Sequence, residues 1–215
     1  MSITLKWLGH ASFKIYQEDK VVYIDPWQIT NEANDATLVL VSHSHYDHFS
    51  PEDIEKVSHS DTELIAPADV IAKQKNGVVI IPGQNIEIND IKVQGVPAYN
   101  PQKQFHPKQN KWLGFIIQID SKKIYYAGDS DLIEEMKTLG EIDVALVPVG
   151  GTYTMNAEEA ADAIEQIKPK LAVPYHWGEI VGSNKDAEQF AKITDCDVNI
   201  LTPGEEICIT KEYAA

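Results

Sequence analysis

The sequence predicts an α/β protein, a four-layer αββα sandwich in which two packed β-sheets carry helices on their outer faces. Segments typical of strands dominate the first two-thirds of the chain, and the order of elements reads twice as a group of strands followed by helices. We find no internal repeat with a period of roughly 20–50 residues. The chain has 215 residues, of which 43% are hydrophobic, so a single domain over residues 1–215 is expected.

The N-terminal part of the chain has the patterns of a hairpin followed by a buried strand. Residues 3–8 and 12–16 alternate between apolar and polar side chains, as half-buried strands do. Residues 21–24 pair back and end before Pro26, because proline lacks the N–H group that a ladder requires. Residues 38–41 are all apolar, which predicts a strand buried on both faces.

Capping residues and turns divide the rest of the chain. Ser50 and Pro51 are typical of the cap and first position of a helix, and Asn156 with Glu159 resembles a capping box. Residues 99–112 lack an apolar period and predict a long functional loop. The other predicted elements are strands at 63–66, 78–81, 86–88, 91–96, 113–119, 123–126, 143–148, 171–174, 198–201 and 207–209, a two-residue turn at Asn89-Asp90, a helix that starts at 50–54, and helices at 67–77, 131–139, 156–168 and 185–193.

Composition restricts the partners. The formal net charge is −15, and all 18 basic residues are lysines, so a nucleic-acid-binding surface is not expected. The sequence contains no apolar run of the roughly 18–20 residues that span a bilayer and no signal-peptide pattern at its start. With only two cysteines, a cytoplasmic protein is expected, and a homo-oligomer is left open.

The most informative stretch follows the strand at 38–41, where His43, His45, Asp47 and His48 occur within six positions. Imidazole and carboxylate groups are ligands of Zn(II), Mn(II) and Fe(II). His43 and His45 are two residues apart, so their side chains point the same way in an extended chain and can share one ion. Asp47 and His48 follow at the turn and can reach a second ion about 4 Å away. The alternative is a histidine-rich surface loop.

The run His43-x-His45-x-Asp47-His48 resembles the signature of the metallo-β-lactamase superfamily, and further matches follow in the expected order. They are Asp25 in Tyr23-Ile24-Asp25-Pro26-Trp27, Asp129 in Ala127-Gly128-Asp129-Ser130-Asp131, and His176 in Pro174-Tyr175-His176-Trp177-Gly178. The opening Trp7-Leu8-Gly9-His10-Ala11 is similar to the branch that contains ascorbate-phosphate lactonases, the phospholipase D that hydrolyses N-acyl phosphatidylethanolamine, and many metal-dependent hydrolases. The resemblance covers Trp7 to about Gly204 and implies the same αββα fold.

The resemblance implies two divalent metal ions, with Zn(II) as first choice and Mn(II) or Fe(II) as alternatives. The ligands would be His43 and His45 for metal 1, Asp47, His48 and His176 for metal 2, and Asp129 as a bridge between them. A hydroxide that bridges the ions would be the nucleophile, and Asp47 would also orient it.

Four positions need a separate interpretation. Asn100 stands where the family resemblance implies a histidine ligand of metal 1. His106, six residues further on, either completes metal 1 or leaves it with an open position. We expect His10 to be a hydrogen-bond partner near the metals or a substrate contact. Asp25 is expected to orient a ligand histidine rather than to bind metal.

These residues predict a metal-dependent hydrolase of a lactone, ester or phosphodiester in a small molecule. Lys103, Lys108 and Lys111 surround His106 in the sequence and would favour an anionic substrate. One alternative is a non-catalytic metal-binding module with a site degraded at Asn100. The other is a di-iron oxidoreductase, for which the chain has no room for a flavin domain.

Overall fold

Two seven-stranded β-sheets, stacked face to face, form the centre of the computed structural model, which describes residues 2–209. In spatial order, the first sheet consists of β14 (Glu206–Ile209), β1 (Ile3–Gly9), β2 (Ser12–Gln17), β3 (Lys20–Ile24), β4 (Leu38–Leu40), β5 (Glu63–Ala66) and β6 (Val78–Val79). The second consists of β13 (Asp197–Val198), β12 (Leu171–Tyr175), β11 (Val144–Pro148), β10 (Lys122–Tyr126), β9 (Leu113–Ile119), β8 (Ile91–Pro97) and β7 (Asn85–Ile88).

Four helices within residues 2–209 cover the sheets. They are α1 (Pro51–Val57), α2 (Ala68–Gln74), α3 (Ala157–Ile167) and α4 (Asn184–Ile193), and 3₁₀ turns occupy Lys108–Asn110 and Glu134–Thr138. The predicted caps are present: Ser50 Oγ accepts the N–H of Asp53, and Asn156 and Glu159 form a capping box. The αββα sandwich predicted from the sequence is confirmed.

The strand β4 shows how the layers are held together. Leu38 and Leu40 lie in the large core that the two sheets share. Val39 and Val41 point the other way, into a smaller core with Ile54 of α1 and other residues of α1 and α2. Because successive side chains of a strand face opposite sides, this short strand packs against both the second sheet and the outer helices. It thereby fixes the start of the histidine cluster.

Three predictions of elements need correction. Residues 131–139 are not a helix, because Ile133 is extended and the N–H of Asp131 donates to the carbonyl of Tyr99 at 3.1 Å, which leaves only the 3₁₀ turn. The predicted strands at 78–81 and 198–201 shorten to β6 and β13, at the two sheet edges where only one neighbour is available.

Between residues 2 and 209, none of the helices has the length and apolar character needed to cross a bilayer.

Candidate metal centre

Six of the seven histidines of the chain converge at one edge of the sandwich, and only His59 lies elsewhere. They arrive from separate segments, each just after a strand or in a loop between strands. His10 follows β1, the run from His43 to His48 follows β4, His106 lies in the loop between β8 and β9, and His176 follows β12. Two carboxylates join them: Asp25 follows β3, and Asp129 lies just beyond β10.

The first group of donor atoms contains His43, His45, His106 and Asp129. One ligand atom from each of the four lies within 4.8 Å of all the others. His43 Nε2 and His45 Nδ1 are 3.0 Å apart, and His106 Nε2 lies 3.3 Å from Asp129 Oδ2. The structure therefore brings His106 into the set that the sequence left open.

The second group contains His10, Asp47, His48 and His176, again with one ligand atom each within 4.8 Å. Asp129 faces this group as well as the first. Its Oδ1 lies 3.2 Å from His48 Nε2, and its Oδ2 lies 3.3 Å from His176 Nε2. The carboxylate of Asp129 thus stands between the two groups, as a bridging ligand would.

Asp25 supports the cluster from behind and is itself fully buried. Its Oδ2 accepts hydrogen bonds from His48 Nδ1 at 2.7 Å and from Tyr126 Oη at 2.7 Å. The hydroxyl of Ser42 donates to the same oxygen and lies 2.9 Å from His43 Nδ1. Because these contacts assign the Nδ1 protons of both histidines, their Nε2 lone pairs are left for a metal ion.

Asn100 plays the same part for His106. Its side-chain Oδ1 accepts from His106 Nδ1 at 2.7 Å and from the backbone N–H of His106 at 3.1 Å. The backbone N–H of Asn100 donates to the His106 carbonyl at 2.8 Å. Asn100 therefore leaves no gap in this group, because His106, six residues further along the loop, lies in it and is held by the asparagine.

His10 lies behind Asp47 and has no exposed surface. Its Nε2 is 3.0 Å from Asp47 Oδ2, and its ring lies 4.2 Å from that of His176, between ring centroids. A cavity beside the cluster is lined by His45, Asp129 and His176, among other residues, but His10 does not line it. The geometry favours the role of hydrogen-bond partner over that of a substrate contact.

The backbone around His176 is unusually constrained. His10, Asp25 and His176 all have left-handed backbone conformations, with φ of 46°, 44° and 60°. Such conformations cost free energy in non-glycine residues and cluster at functional sites. Gly150 packs so closely on His176 that a Cβ at position 150 would overlap the His176 carbonyl oxygen.

The electrostatics of the cluster favour cation binding. Burial lowers the pKa of His43 well below its ordinary value, and the neighbouring His48 adds to the effect. Burial also opposes ionisation of Asp129, but the charges of His176 and His48 outweigh it and lower the pKa of the carboxyl well below the usual range. The pKa of His48 is raised, since Asp129 and Asp25 outweigh its burial. A cation that enters beside His48 and Asp129 would displace the proton they attract.

The fit of the site to metal ions can be tested on its polar atoms. Six of them are buried without a hydrogen bond of normal geometry. Four of the six are Nε2 of His48, His106 and His176 and Oδ1 of Asp129, and the other two are Nδ1 of His10 and His176. Buried polar atoms are nearly always paired, because desolvation without a partner is costly. Their convergence is explained if divalent cations complete them, and the nitrogen and oxygen donors suit Zn(II), Mn(II) or Fe(II).

The lysines of the 99–112 loop do not extend this site. Lys103 Nζ bonds to Asp131 Oδ1 at 2.7 Å, and Lys108 Nζ bonds to Glu135 Oε1 at 2.8 Å. Lys111 lines a separate cavity beside Trp112. The cationic patch expected from the sequence is therefore neutralised or directed elsewhere.

Several supporting residues carried no recognisable signal in the sequence. Trp112 packs against the rings of His43 and His45, with centroids 5.0 Å and 4.8 Å away, and its Nε1 donates to Asp69 of α2 at 3.0 Å. Tyr126 reaches Asp25 from the other sheet. Ser42 is the exception, because it is adjacent to the histidine cluster in the sequence and its neighbours point to it.

Comparisons with known proteins identify the family. A model of the beta-lactamase superfamily domain matches residues 4–176. The chain is 34% identical to a UPF0173 metal-dependent hydrolase of Pyrococcus abyssi, over 95% of this chain and 99% of that protein. A similar hydrolase of Thermococcus onnurineus is 32% identical over 94% and 98% of the two chains. The structure of Igni18, a metallo hydrolase of Ignicoccus hospitalis, superposes with a TM-score of 0.80 at 24% identity, over 97% and 98% of the two chains. The chain therefore belongs to the metallo-β-lactamase superfamily, among its metal-dependent hydrolases.

Proposed function

We propose that the protein hydrolyses a carboxylic ester or lactone, or a phosphodiester, at a centre of two divalent metal ions. The observation that carries the proposal is the convergence of unpaired, buried donor atoms on both sides of Asp129. Metal 1 is assigned to His43, His45 and His106, and metal 2 to Asp47, His48 and His176; Asp129 is shared between them. Zn(II) is the first candidate, with Mn(II) and Fe(II) next.

When bound to these residues, two ions would supply a water of lowered pKa and would polarise the substrate oxygen. The protein groups around them position the reactants. Asp47 lines the cavity, and one of its oxygens is held by His10. We assign to Asp47 the task of accepting a hydrogen bond from the attacking water, and to His10 the task of keeping that carboxylate in place.

The two alternative functions differ in what would distinguish them from the hydrolase proposal. The binding-module hypothesis rested on Asn100 as a gap in the ligand set, and Asn100 instead holds His106. The oxidoreductase hypothesis predicts iron and a visible absorption band in the purified protein, whereas the hydrolase proposal does not require either.

The decisive variant is Asp129→Ala, because it removes the ligand that both ions share. We expect about two metal ions per chain in the wild type and a near-complete loss in the variant, measured by plasma mass spectrometry without metal-affinity purification. Hydrolysis of a panel of esters, lactones and phosphodiesters should fall in parallel.

A matched control is Asp162→Ala, which removes an exposed carboxylate on α3, far from the cluster. It should keep the metal content and activity of the wild type. Full metal content in Asp129→Ala would contradict the assignment of a bridging ligand, and metal without hydrolysis of any member of the panel would contradict the proposed activity.

A further inference from the structure

The donor atoms open onto a cavity of about 250 Å³, and its outer wall is apolar. Tyr46, Phe105, Tyr153 and Ile180 line it beside the proposed ligands. Phe105 and Tyr153 meet edge to face, with ring centroids 4.8 Å apart. The cavity is small in comparison with most ligand sites, so it suits a small molecule or the end of a larger one.

The exposure of this wall is unusual for the molecule. Seven large hydrophobic residues are exposed in the part of the chain from 2 to 209, and three of them, Tyr46, Phe105 and Ile180, line this one cavity. Scattered exposed apolar residues need no explanation, but a group of them at a cavity mouth marks a binding surface.

The charge of the cavity points in the same direction. Among the described residues 2–209, its wall includes no lysine, and the chain contains no arginine. Lys103 and Lys108 of the 99–112 loop are bonded to acidic residues. An anionic group on the substrate, away from the scissile bond, would find no cationic side chain to replace its water.

Ile180 is held in the cavity wall at a conformational cost. Its φ is 57°, a left-handed value that a β-branched side chain rarely adopts. The strained turn is closed by the N–H of Val181, which donates to the carbonyl of Glu179, and Gly182 lets it pack against Gly150. Strain of this kind persists where the surrounding structure imposes it, often at ligand-binding sites.

We propose that the cavity selects uncharged carboxylic esters or lactones with an alkyl or aryl substituent, and that Phe105 and Ile180 are specificity-determining residues that contact this substituent. The proposal rests on the proposed function, because it takes the metal centre as the place where the carbonyl group binds. It replaces the anionic substrate expected from the lysine-rich loop.

Binding of three hydroxamic acids to the metal-loaded protein tests the proposal without turnover. Hexanohydroxamic acid and adipic acid monohydroxamate have the same chelating group and chain length, and they differ in a terminal methyl or carboxylate. Acetohydroxamic acid has the chelating group alone. Titration calorimetry gives the three dissociation constants for the wild type, Phe105→Ala, Ile180→Ala and the control Ile193→Ala, which removes an equally exposed isoleucine at the end of α4.

Each methylene that becomes buried should raise affinity roughly fourfold, so hexanohydroxamic acid should bind at least about tenfold more tightly than either other compound. Phe105→Ala and Ile180→Ala should remove most of this preference and leave the affinity for acetohydroxamic acid within roughly twofold of the wild type. Ile193→Ala should change none of the three constants.

Two results would overturn the proposal. One is equal or tighter binding of adipic acid monohydroxamate by the wild type. The other is an equal loss of affinity for the short and long compounds in Phe105→Ala and Ile180→Ala, which would mean that these residues only support the fold. Failure of the proposed function appears separately, as a lack of bound metal or of ester hydrolysis in the earlier assay.

Discussion

Asn100 binds no metal in our assignment, yet it decides whether His106 can. Its side-chain oxygen accepts both the ring N–H and the backbone N–H of His106. The first bond fixes the tautomer and the second fixes the position of the residue in the loop. Supporting groups of this kind tune metal affinity almost as strongly as the ligands do.

The variant Asn100→Ala should therefore weaken metal binding at one of the two sites by about 10- to 100-fold. Competition with a chromophoric chelator measures the two affinities separately. Asn110→Ala changes an exposed asparagine in the same loop and serves as the control. An unchanged affinity in Asn100→Ala would show that the loop holds His106 without this side chain.

At this scale, the spacing of residues predicted the donors that are close together in the chain. The family resemblance added Asp129, His176 and the supporting Asp25, whereas Asn100, Trp112 and Tyr126 were missed as supporting groups. His43, His45, Asp47 and His48 are recognisable because their spacing follows the geometry of a strand end. His106 was left undecided because the path of residues 99–112 depends on contacts with distant segments, such as the bond between Asp131 and the Tyr99 carbonyl. No local pattern records such contacts.

At the scale of the elements, the end of β12 fixes the position of His176 closely. His176 follows β12 directly, its N–H donates to the His10 carbonyl at 3.0 Å, and Gly150 lies against its backbone. The position of this ligand is thus fixed by the approach of the segments that follow β1 and β11.

Gly150→Ala should push His176 out of position and lower metal affinity by about tenfold or more, because small displacements of ligands are costly. The neighbouring variant Gly151→Ala is the control. Gly151 has a φ of 85°, so alanine there should cost about 1–2 kcal/mol of stability, but its Cβ would have room. Chemical denaturation and chelator competition measure the two effects. A loss of stability without a loss of metal affinity in Gly150→Ala would contradict this role.

Most elements could be predicted because capping residues and periodicity are local. Ser50 and Asn156 cap the α1 and α3 helices, as the sequence indicated. The predicted helix at 131–139 is absent because the start of this segment makes hydrogen bonds to the 99–112 loop instead of helical hydrogen bonds. A helical composition was outweighed there by the contacts that stabilise the loop beside Asp129.

The whole molecule should depend on its metal ions for stability. Removal of the ions leaves four polar atoms buried and unpaired at the centre of the site. With free metal a thousandfold above its dissociation constant, the binding of one ion to the folded state alone adds about 4 kcal/mol. For a chain of this size, that corresponds to a midpoint of thermal unfolding about 8–16 °C higher.

Differential scanning calorimetry with and without a chelator tests this expectation. The wild type should lose the whole increment, whereas Asp129→Ala should unfold at nearly the same temperature in both conditions. If the chelator leaves the midpoint of the wild type unchanged while removing the metal, the unpaired atoms must find other partners in the metal-free protein.

The hydrogen bond between His176 and His10 joins residues that are far apart in the sequence. During synthesis, a ribosome exposes His10 and the His43 to His48 run long before it releases β12 and His176. The nascent chain therefore cannot present both halves of the donor set until most of it has emerged. We therefore expect the full metal complement to bind only after segments of both sheets have come together.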